Sequence, residues 1–579
     1  MQKPSTTTDL ARKGGPLAAA LAALALLAGC AQAPLKNSAG PAAAATATVP
    51  MATAGDTATA QVMAAELALR QGDAAAAARD YAHAAATSTD WTVAHRAALL
   101  AIGQDDIAGA ERALARMRAL SAPAIDVAGV QARLALEQGH SDAARRALQR
   151  VLSGGGRDAW SAFAQVLADA RDAAAAGQLL QALATPQSLP ADDPNTWLAV
   201  SQLGEKLGRH AYARTIANAA AERFASGKAC AWAAHLALAV GDTAGAMAWF
   251  EKGLQSVPND IGFRLAYAGA LARLGHYGHA ARMLADGPQT VDTYRARAAF
   301  AARADDDAAL ARIRDELADA PPALRRQATF LRAQLADSLG KPEEALKLYA
   351  EVPLDDKDGF DAGLRRAVLL DKSGRSEQAH GLVRQLQAAS TDDDDHYRSA
   401  VQLEAAMYRR NGKPAKVIAT FDRGLEHLPG DTDLLYGRAL GEADNGRAEE
   451  AIADLRKVLQ LDPDNMPATN ALGYTLADRN KNLDEARTLL ERALAAQPDE
   501  PAVIDSWGWL QFRLGHLEKA EKALRRAWDK LKDPDIGTHL GEVLWAQGQR
   551  AEAKQVFAAV RKIAPESATL KAALERLQR

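Results

Sequence analysis

The sequence predicts an all-α solenoid of about 15 helical hairpins, running from about residue 60 to about residue 576. Three observations carry this: glycines recurring at a spacing near 34 or its double, a small or β-branched residue five positions after each, and prolines at a fixed offset beyond. The glycines are Gly72, Gly139, Gly208, Gly241, Gly275, Gly340, Gly374, Gly412, Gly446, Gly515 and Gly548; the residue five on is alanine in every case but Val417, which follows Gly412. From Gly208 the steps run 33, 34, 65, 34, 38, 34, 69 and 33, so a doubled step marks a unit without its glycine. Each feature has a physical job. A glycine just past a helix end takes the left-handed conformation that terminates it, and a small residue five positions later lets the returning helix cross close against the first. Pro258, Pro429, Pro463, Pro498 and Pro565 lie 12 residues beyond the small residue, where proline stops the second helix. Ala110, Ala176 and Ala486, with a degenerate unit near Ala309 or Leu310, fill the gaps and bring eleven units to fifteen. The glycine stops exclude a coiled coil, which needs heptads through uninterrupted helices. No convincing run of alternating β-branched residues argues for a sheet.

The segments LGYTLADRNKNLDEARTLLERALAAQP, from Leu472, and WGWLQFRLGHLEKAEKALRRAW, from Trp507, resemble the tetratricopeptide pattern of Leu-Gly, then Ala, a large apolar residue and Ala, then Pro. Gly473, Gly508 and Gly541 supply its small residue in the first helix, and Ala493, Ala527 and Val560 a second one in the partner helix. Before about residue 190 the units are alanine-rich and lack the aromatic members, so the hairpin reading rests there on periodicity alone. The resemblance implies a tetratricopeptide-repeat superhelical solenoid, with residues 59–425 as divergent repeats and 426–579 as well-matched repeats with a C-terminal cap.

The N-terminal stretch has a different character. Lys3, Arg12 and Lys13 precede an apolar run over residues 17–28, and Leu27-Ala28-Gly29 leads into Cys30. Basic, apolar and small segments in that order form an export signal over residues 1–29. The run is shorter than the roughly 20 residues a membrane span needs. LAGC also resembles the bacterial lipobox, which implies lipidation of Cys30; acyl chains there would tether a soluble body at about 0.8 kcal/mol per buried CH2. Ala31 in place of aspartate after that cysteine implies, by the same resemblance, the periplasmic face of the outer membrane. Residues 30–58, rich in Ala, Thr and Pro and almost uncharged, read as a mobile stalk.

With 69 basic against 72 acidic residues, the net charge of -3 gives no bias toward nucleic acid or anionic lipid. If Cys30 carries lipid, Cys230 has no disulfide partner, since the chain has 2 cysteines, and it reads as a buried, inert thiol. His276 and His279 could share a helix side but lack a third metal ligand and read as a solvent-facing turn pair. Asp392 to Asp395, and likewise Asp305 to Asp307, read as helix N-terminal acids rather than calcium ligands. No phosphate loop, nucleophile elbow or H-E-x-x-H motif is present, so no enzyme, cofactor or metal is expected.

Stacked hairpins turn their first helices toward a shared concave face, where residues spaced four and three apart point into a common groove. In the best-matched units these are Asn470 and Tyr474; Asp505, Trp509 and Phe512; and Thr538, Glu542 and Trp545. Trp507 and Trp528 fall instead on core positions of the family pattern. The groove aromatics read either as inter-repeat packing or as a peptide-binding stripe. Taken with the lipobox, the segments NALGYTLADRNKNLDEA and DSWGWLQFRLG resemble the large outer-membrane tetratricopeptide lipoproteins of proteobacteria, whose members include the adaptor of a periplasmic carboxyl-terminal processing protease. That resemblance implies binding to a PDZ-containing serine protease and to its peptidoglycan hydrolase substrates. A scaffold lipoprotein of an exopolysaccharide-export or pilus-assembly machine would use the same anchored solenoid. Cys30→Ser is expected to abolish lipidation and to leave an inner-membrane precursor or a soluble periplasmic form, read by fractionation and mass spectrometry of the N-terminus. A variant that still floats with outer-membrane vesicles would remove the lipoprotein reading.

Overall fold

The computed structural model describes residues 57–578, which form 32 α-helices and, among the described residues, no strand. Cys30, the export signal and nearly all of the predicted stalk lie outside the described residues. The first described helix begins at Thr57, two residues ahead of the predicted boundary at 59. The chain divides into two compact units, one ending at Ala304 and the other beginning at Asp305. The first holds seven helical hairpins followed by the helix Val291–Arg303. The second holds the helix Asp307–Ala318, seven further hairpins and the helix Ala568–Gln578. Helices Val291–Arg303 and Asp307–Ala318 occupy the sequence positions of the degenerate fifteenth unit.

The turns follow the sequence closely. All eleven repeat glycines have φ between 63° and 82°. At Gly241 the Asp242 N–H reaches back to the Ala237 carbonyl at 2.9 Å and the Gly241 N–H to the Leu238 carbonyl at 3.0 Å, the paired bonds that close a helix C-terminus. At two turns without glycine, Asp105 (φ 60°) and Asp305 (φ 51°) take the left-handed conformation in its place, as aspartate does more readily than most residues, whereas Arg171, five residues before Ala176, does not. Asp305 stands five residues before Leu310, which assigns that degenerate unit to Leu310 rather than Ala309. In the longer turn before Leu483–Ala496, Asn480 and Asn482 share the role, at φ 54° and 44°.

The crossing residues are fully enclosed. Ala77, Ala110, Ala144, Ala176, Ala213, Ala246, Ala280, Ala345, Ala379, Ala451, Ala486, Ala520 and Ala553 are all 0% exposed, and Val417 is 1% exposed. The five repeat prolines each fall two residues past the end of a second helix, as Pro258 does after Thr243–Ser256. The first helix of one hairpin breaks into Pro322–Gln327 and Thr329–Ser338. There the Thr329 hydroxyl donates to the Arg326 carbonyl at 2.8 Å, a local bond that competes with the helical ladder.

Cores form between neighbours in sequence. One cluster joins Ala65 through Leu134, and another joins Ile504, Leu524, Trp528, Leu540, Phe557 and Leu570. Trp528 is buried, as predicted, whereas Trp507 is only partly so. Cys230 is fully buried beneath Gly253, and burial pushes its thiol up, which keeps it protonated and unreactive. Glu404 is also 0% exposed, yet Arg384, Gln387 and Arg423 donate to it at 3.0, 3.0 and 2.9 Å, so its charge is satisfied within the core.

The close crossing decides the sign of a glycine substitution. Glycine to alanine inside a helix ordinarily gains about 0.8–1.0 kcal/mol, but overpacking costs about 1–3 kcal/mol. A methyl on Gly508 would lie 2.7 Å from Leu524 Cγ, whereas one on Gly269 would meet nothing within 4 Å. Gly508→Ala is therefore expected to lower stability by about 1–2 kcal/mol and Gly269→Ala to raise it by up to about 1 kcal/mol, compared by thermal and urea unfolding.

Candidate protein-binding groove

In the unit that begins at Asp305, four successive first helices line one cavity of about 70 Å3: Thr432–Asp444, Met466–Asp478, Pro501–Arg513 and Pro534–Ala546. The repeat places them side by side, because each second helix turns back behind its partner. Tyr436 and Leu440 form one side, Asn470 and Tyr474 the next, Asp505 and Ser506 the floor, and Asp533, Asp535 and His539 the far side.

The floor is a buried polar cluster. His539 is 3% exposed, and its Nδ1 lies 3.0 and 3.1 Å from the two carboxylate oxygens of Asp505, which is 7% exposed. Its Nε2 lies 3.3 Å from the Tyr474 hydroxyl. Trp509 stacks on the imidazole, with ring centroids 4.2 Å apart and planes 24° apart, and its Nε1–H donates to Asp478 Oδ1 at 3.3 Å. Burial alone would push His539 down, but the charge and hydrogen bond of Asp505 and the charge of Asp535 outweigh it, so the imidazole titrates above its ordinary 6.5. Burial also pushes the Tyr474 hydroxyl well up, so it keeps its proton. When His539 is neutral with its proton on Nδ1, Tyr474 donates to Nε2. When His539 is charged, Nε2–H donates to Tyr474, whose own proton is then available to the cavity.

The eight predicted groove residues divide into three groups. Asn470, Tyr474 and Asp505 line the cavity together. Trp509, 3% exposed, belongs to the core between hairpins, and Phe512 lies beside it with centroids 5.1 Å apart. The last three meet other partners. The Thr538 hydroxyl donates to the Pro534 carbonyl of its own helix, Arg576 holds Glu542 at 2.7 Å, and Trp545 packs in the cluster completed by Leu570, Leu574 and Leu577. The helix Ala568–Gln578 thus covers that part of the face, and the three predicted aromatics do not form one open patch.

Sequence reasoning missed His539, Asp533, Asp535 and Tyr436. Two signals were available: His539 lies 34 residues after Asp505 and Tyr436 lies 34 before Asn470, each one repeat length. The stripe Leu570, Leu574 and Leu577 also had the spacing of a covering helix.

The remaining sequence candidates have local roles. His276 and His279 are exposed, the first at the N-cap of Tyr277–Ala285. Asp393 and Asp306 each cap a helix through a backbone N–H, that of His396 and of Ala309. Among the described residues no group of three or more His, Cys, Asp or Glu could hold a metal ion, and no helix is long and apolar enough to cross a membrane.

Tetratricopeptide-repeat family models match residues 130–194, 403–465 and 442–505, so these segments carry tetratricopeptide repeats. It is 36% identical over 215 residues to a TPR repeat-containing protein of Pseudomonas aeruginosa, a match covering 37% of this chain and 36% of that relative. It is 28% identical over 261 residues to the cellulose synthase 2 operon protein C of Komagataeibacter xylinus, covering 45% of this chain and 18% of the relative. The chain therefore spans about a third or less of these relatives. A tetratricopeptide repeat protein of Parabacteroides merdae, with a solved structure, aligns at 14% identity and a TM-score of 0.37, covering 44% of this chain and 99% of that one.

The Asp505–His539 pair carries a pH dependence. Because the folded pKa of His539 lies above its unfolded 6.5, the stability it contributes is complete below pH 6.5 and is lost as pH rises through the folded value. Glu442, pushed up to about 7 by burial and by Asp454, adds a decline between pH 4.5 and 7 that a matched variant cancels. Above pH 6.5 the melting temperature of the wild-type 501–563 hairpins is expected to fall more steeply than that of His539→Gln, followed by tryptophan fluorescence. Parallel profiles would show that the imidazole stays neutral.

Proposed function

We propose that this chain is a non-catalytic, membrane-anchored adaptor that binds a periplasmic carboxyl-terminal processing protease together with its cell-wall hydrolase substrates, and so promotes their degradation. The observation that carries the reading is the cavity lined by four successive first helices, in the part of the chain where the tetratricopeptide pattern is strongest. Such a surface offers aromatic, amide and carboxylate groups to a polypeptide. The LAGC segment supports anchoring through Cys30 at the periplasmic face of the outer membrane. Holding enzyme and substrate on one tether replaces a dilute encounter with a high local concentration, which is proximity rather than chemistry.

The similarity to a cellulose synthase operon protein favours a second reading, a scaffold lipoprotein of a polysaccharide-export machine. Pull-down from detergent-solubilised membranes separates them. With the purified chain added, the protease is expected to degrade a peptidoglycan hydrolase at least about tenfold faster, while the chain alone cleaves neither peptide nor glycan. If the protease works equally well without the chain and the two do not copurify, the export scaffold takes the adaptor's place.

A further inference from the structure

We propose that Asp505, His539 and Tyr474 form a proton-operated gate, and that the cavity beside them takes the side-chain carboxamide of a glutamine or asparagine on a polypeptide partner while His539 carries both its protons. The proposal rests on reading this groove as a protein-binding surface and adds what enters it and what regulates entry. His539 Nδ1 lies 3.0 and 3.1 Å from the two Asp505 oxygens, so the Nδ1 proton stays on that side. Nε2 is therefore the atom that gains or loses a proton, and it lies 3.3 Å from the Tyr474 hydroxyl. Without a proton, Nε2 accepts from Tyr474. With one it donates, the tyrosine oxygen accepts, and the hydroxyl proton turns away from the imidazole. The change takes up one proton from solvent and needs only rotation about the tyrosine C–O bond, since a hydroxyl hydrogen turns to suit its partners. Trp509, stacked on the imidazole at 4.2 Å between centroids, holds the ring in that orientation.

The charges acting on His539 are Asp505 from Pro501–Arg513 and Asp535 from its own helix, and both favour the charged imidazole. Asp478, Asp505, Asp535 and Glu542 act on Tyr474; of these, Asp478 accepts from Trp509 and Glu542 is held by Arg576. Helices Leu517–Lys530 and Arg550–Ile563 meet the His539 helix through Trp528 at Gly537 and Phe557 at Gly541.

Tyr474 and Asn470 stand one turn apart on Met466–Asp478 and both line the cavity. Asn470 Oδ1 is a buried acceptor without a hydrogen-bond partner, and a buried acceptor left unpaired is costly. When His539 is charged, the two side chains present one acceptor and one donor. A carboxamide supplies the complementary N–H and C=O on neighbouring atoms. Neither aspartate on the far side is called on: Asp533 accepts from the N–H groups of Asp535 and Ile536, and the Thr569 side chain bonds Asp535. A carboxylate has no donor for Asn470 Oδ1 and would meet Asp505 and Asp533. An ammonium has no acceptor for Tyr474 and would meet the charged imidazole, and an apolar side chain would leave both groups unpaired. At about 70 Å3 the space is about that of two water molecules, at about 30 Å3 each, so it holds the end of a side chain and not a folded surface.

The test titrates the full chain with alanine pentapeptides by fluorescence anisotropy, each with a dye on its N-terminus, an N-methylamide at its C-terminus and a central glutamine, asparagine, methionine or glutamate. At about pH 6, below the ordinary histidine value, at least one carboxamide peptide is expected to bind about tenfold or more tighter than the methionine and glutamate peptides. At about pH 9 that preference should shrink to within about twofold, because Tyr474 again donates to Nε2. Tyr474→Phe, which keeps the ring and removes the donor, should abolish the preference at both values. Asp505→Asn withdraws the charge that favours the imidazolium, so the midpoint of the pH dependence should fall by about one unit or more, a shift that misfolding cannot produce. Equal binding of all the peptides, or no binding by any, overturns the proposal. So does a preference that is unchanged by pH or kept in Tyr474→Phe, or a midpoint that Asp505→Asn leaves in place. A chain that copurifies with the protease but ignores the carboxamide keeps the adaptor reading and loses this one. Carboxamide binding that follows pH without a protease partner does the reverse.

Discussion

Most of the hairpins depend on two helices crossing at a small residue five positions after a turn in the left-handed region. The turn reverses the chain within a few residues, and the enclosed alanine at the crossing sets how closely the helices approach. Other features of the fold follow from that spacing. Gly473 and Gly508 have room for Leu490 and Leu524 only because they carry no Cβ, and the apolar clusters join residues from neighbouring hairpins. At Asp105, Asp305, Asn480 and Asn482, where glycine is absent, aspartate and asparagine accept the same conformation.

The same spacing creates the groove and sets its chemistry. First helices placed side by side bring Asn470, Asp505 and His539, each about one repeat from the next, into a single layer. Burying Asp505 beside His539 would be costly for either alone, and each satisfies the other at 3.0 Å. Trp509 on the imidazole face excludes water from that pair while bonding to Asp478, so an aromatic residue that could have been a contact for a partner serves the seam between hairpins. Glu404 shows the alternative arrangement, a buried carboxylate saturated by three donors, which leaves nothing for a ligand to complete. Asn470 is different, because its amide oxygen remains unpaired at the cavity.

Local periodicity made most of the fold legible. Backbone sign at the turns, burial at the crossing and the stop at proline are all decided within a few residues, so Gly241, Ala246 and Pro258 could each be read in isolation. The break at Ala328, beside which the Thr329 hydroxyl donates to the Arg326 carbonyl, was not legible from the repeat pattern. Asn470, Tyr474 and Asp505 were legible as a common face for the same periodic reason. Thr538, Glu542 and Trp545 followed the pattern equally well and meet other partners, and helical spacing alone says nothing of what covers a face.

The sequence by itself determined that this protein is built from helical hairpins and which glycine closes eleven of the turns, because those outcomes rest on the conformational limits of single residues. It also set the helix faces that could line a groove. Only the tertiary structure decided which of those faces stay open, since that depends on where Ala568–Gln578 packs and on His539 meeting an aspartate 34 residues away. Contacts between distant residues are chosen by the packing of whole helices, and no local rule of spacing encodes them.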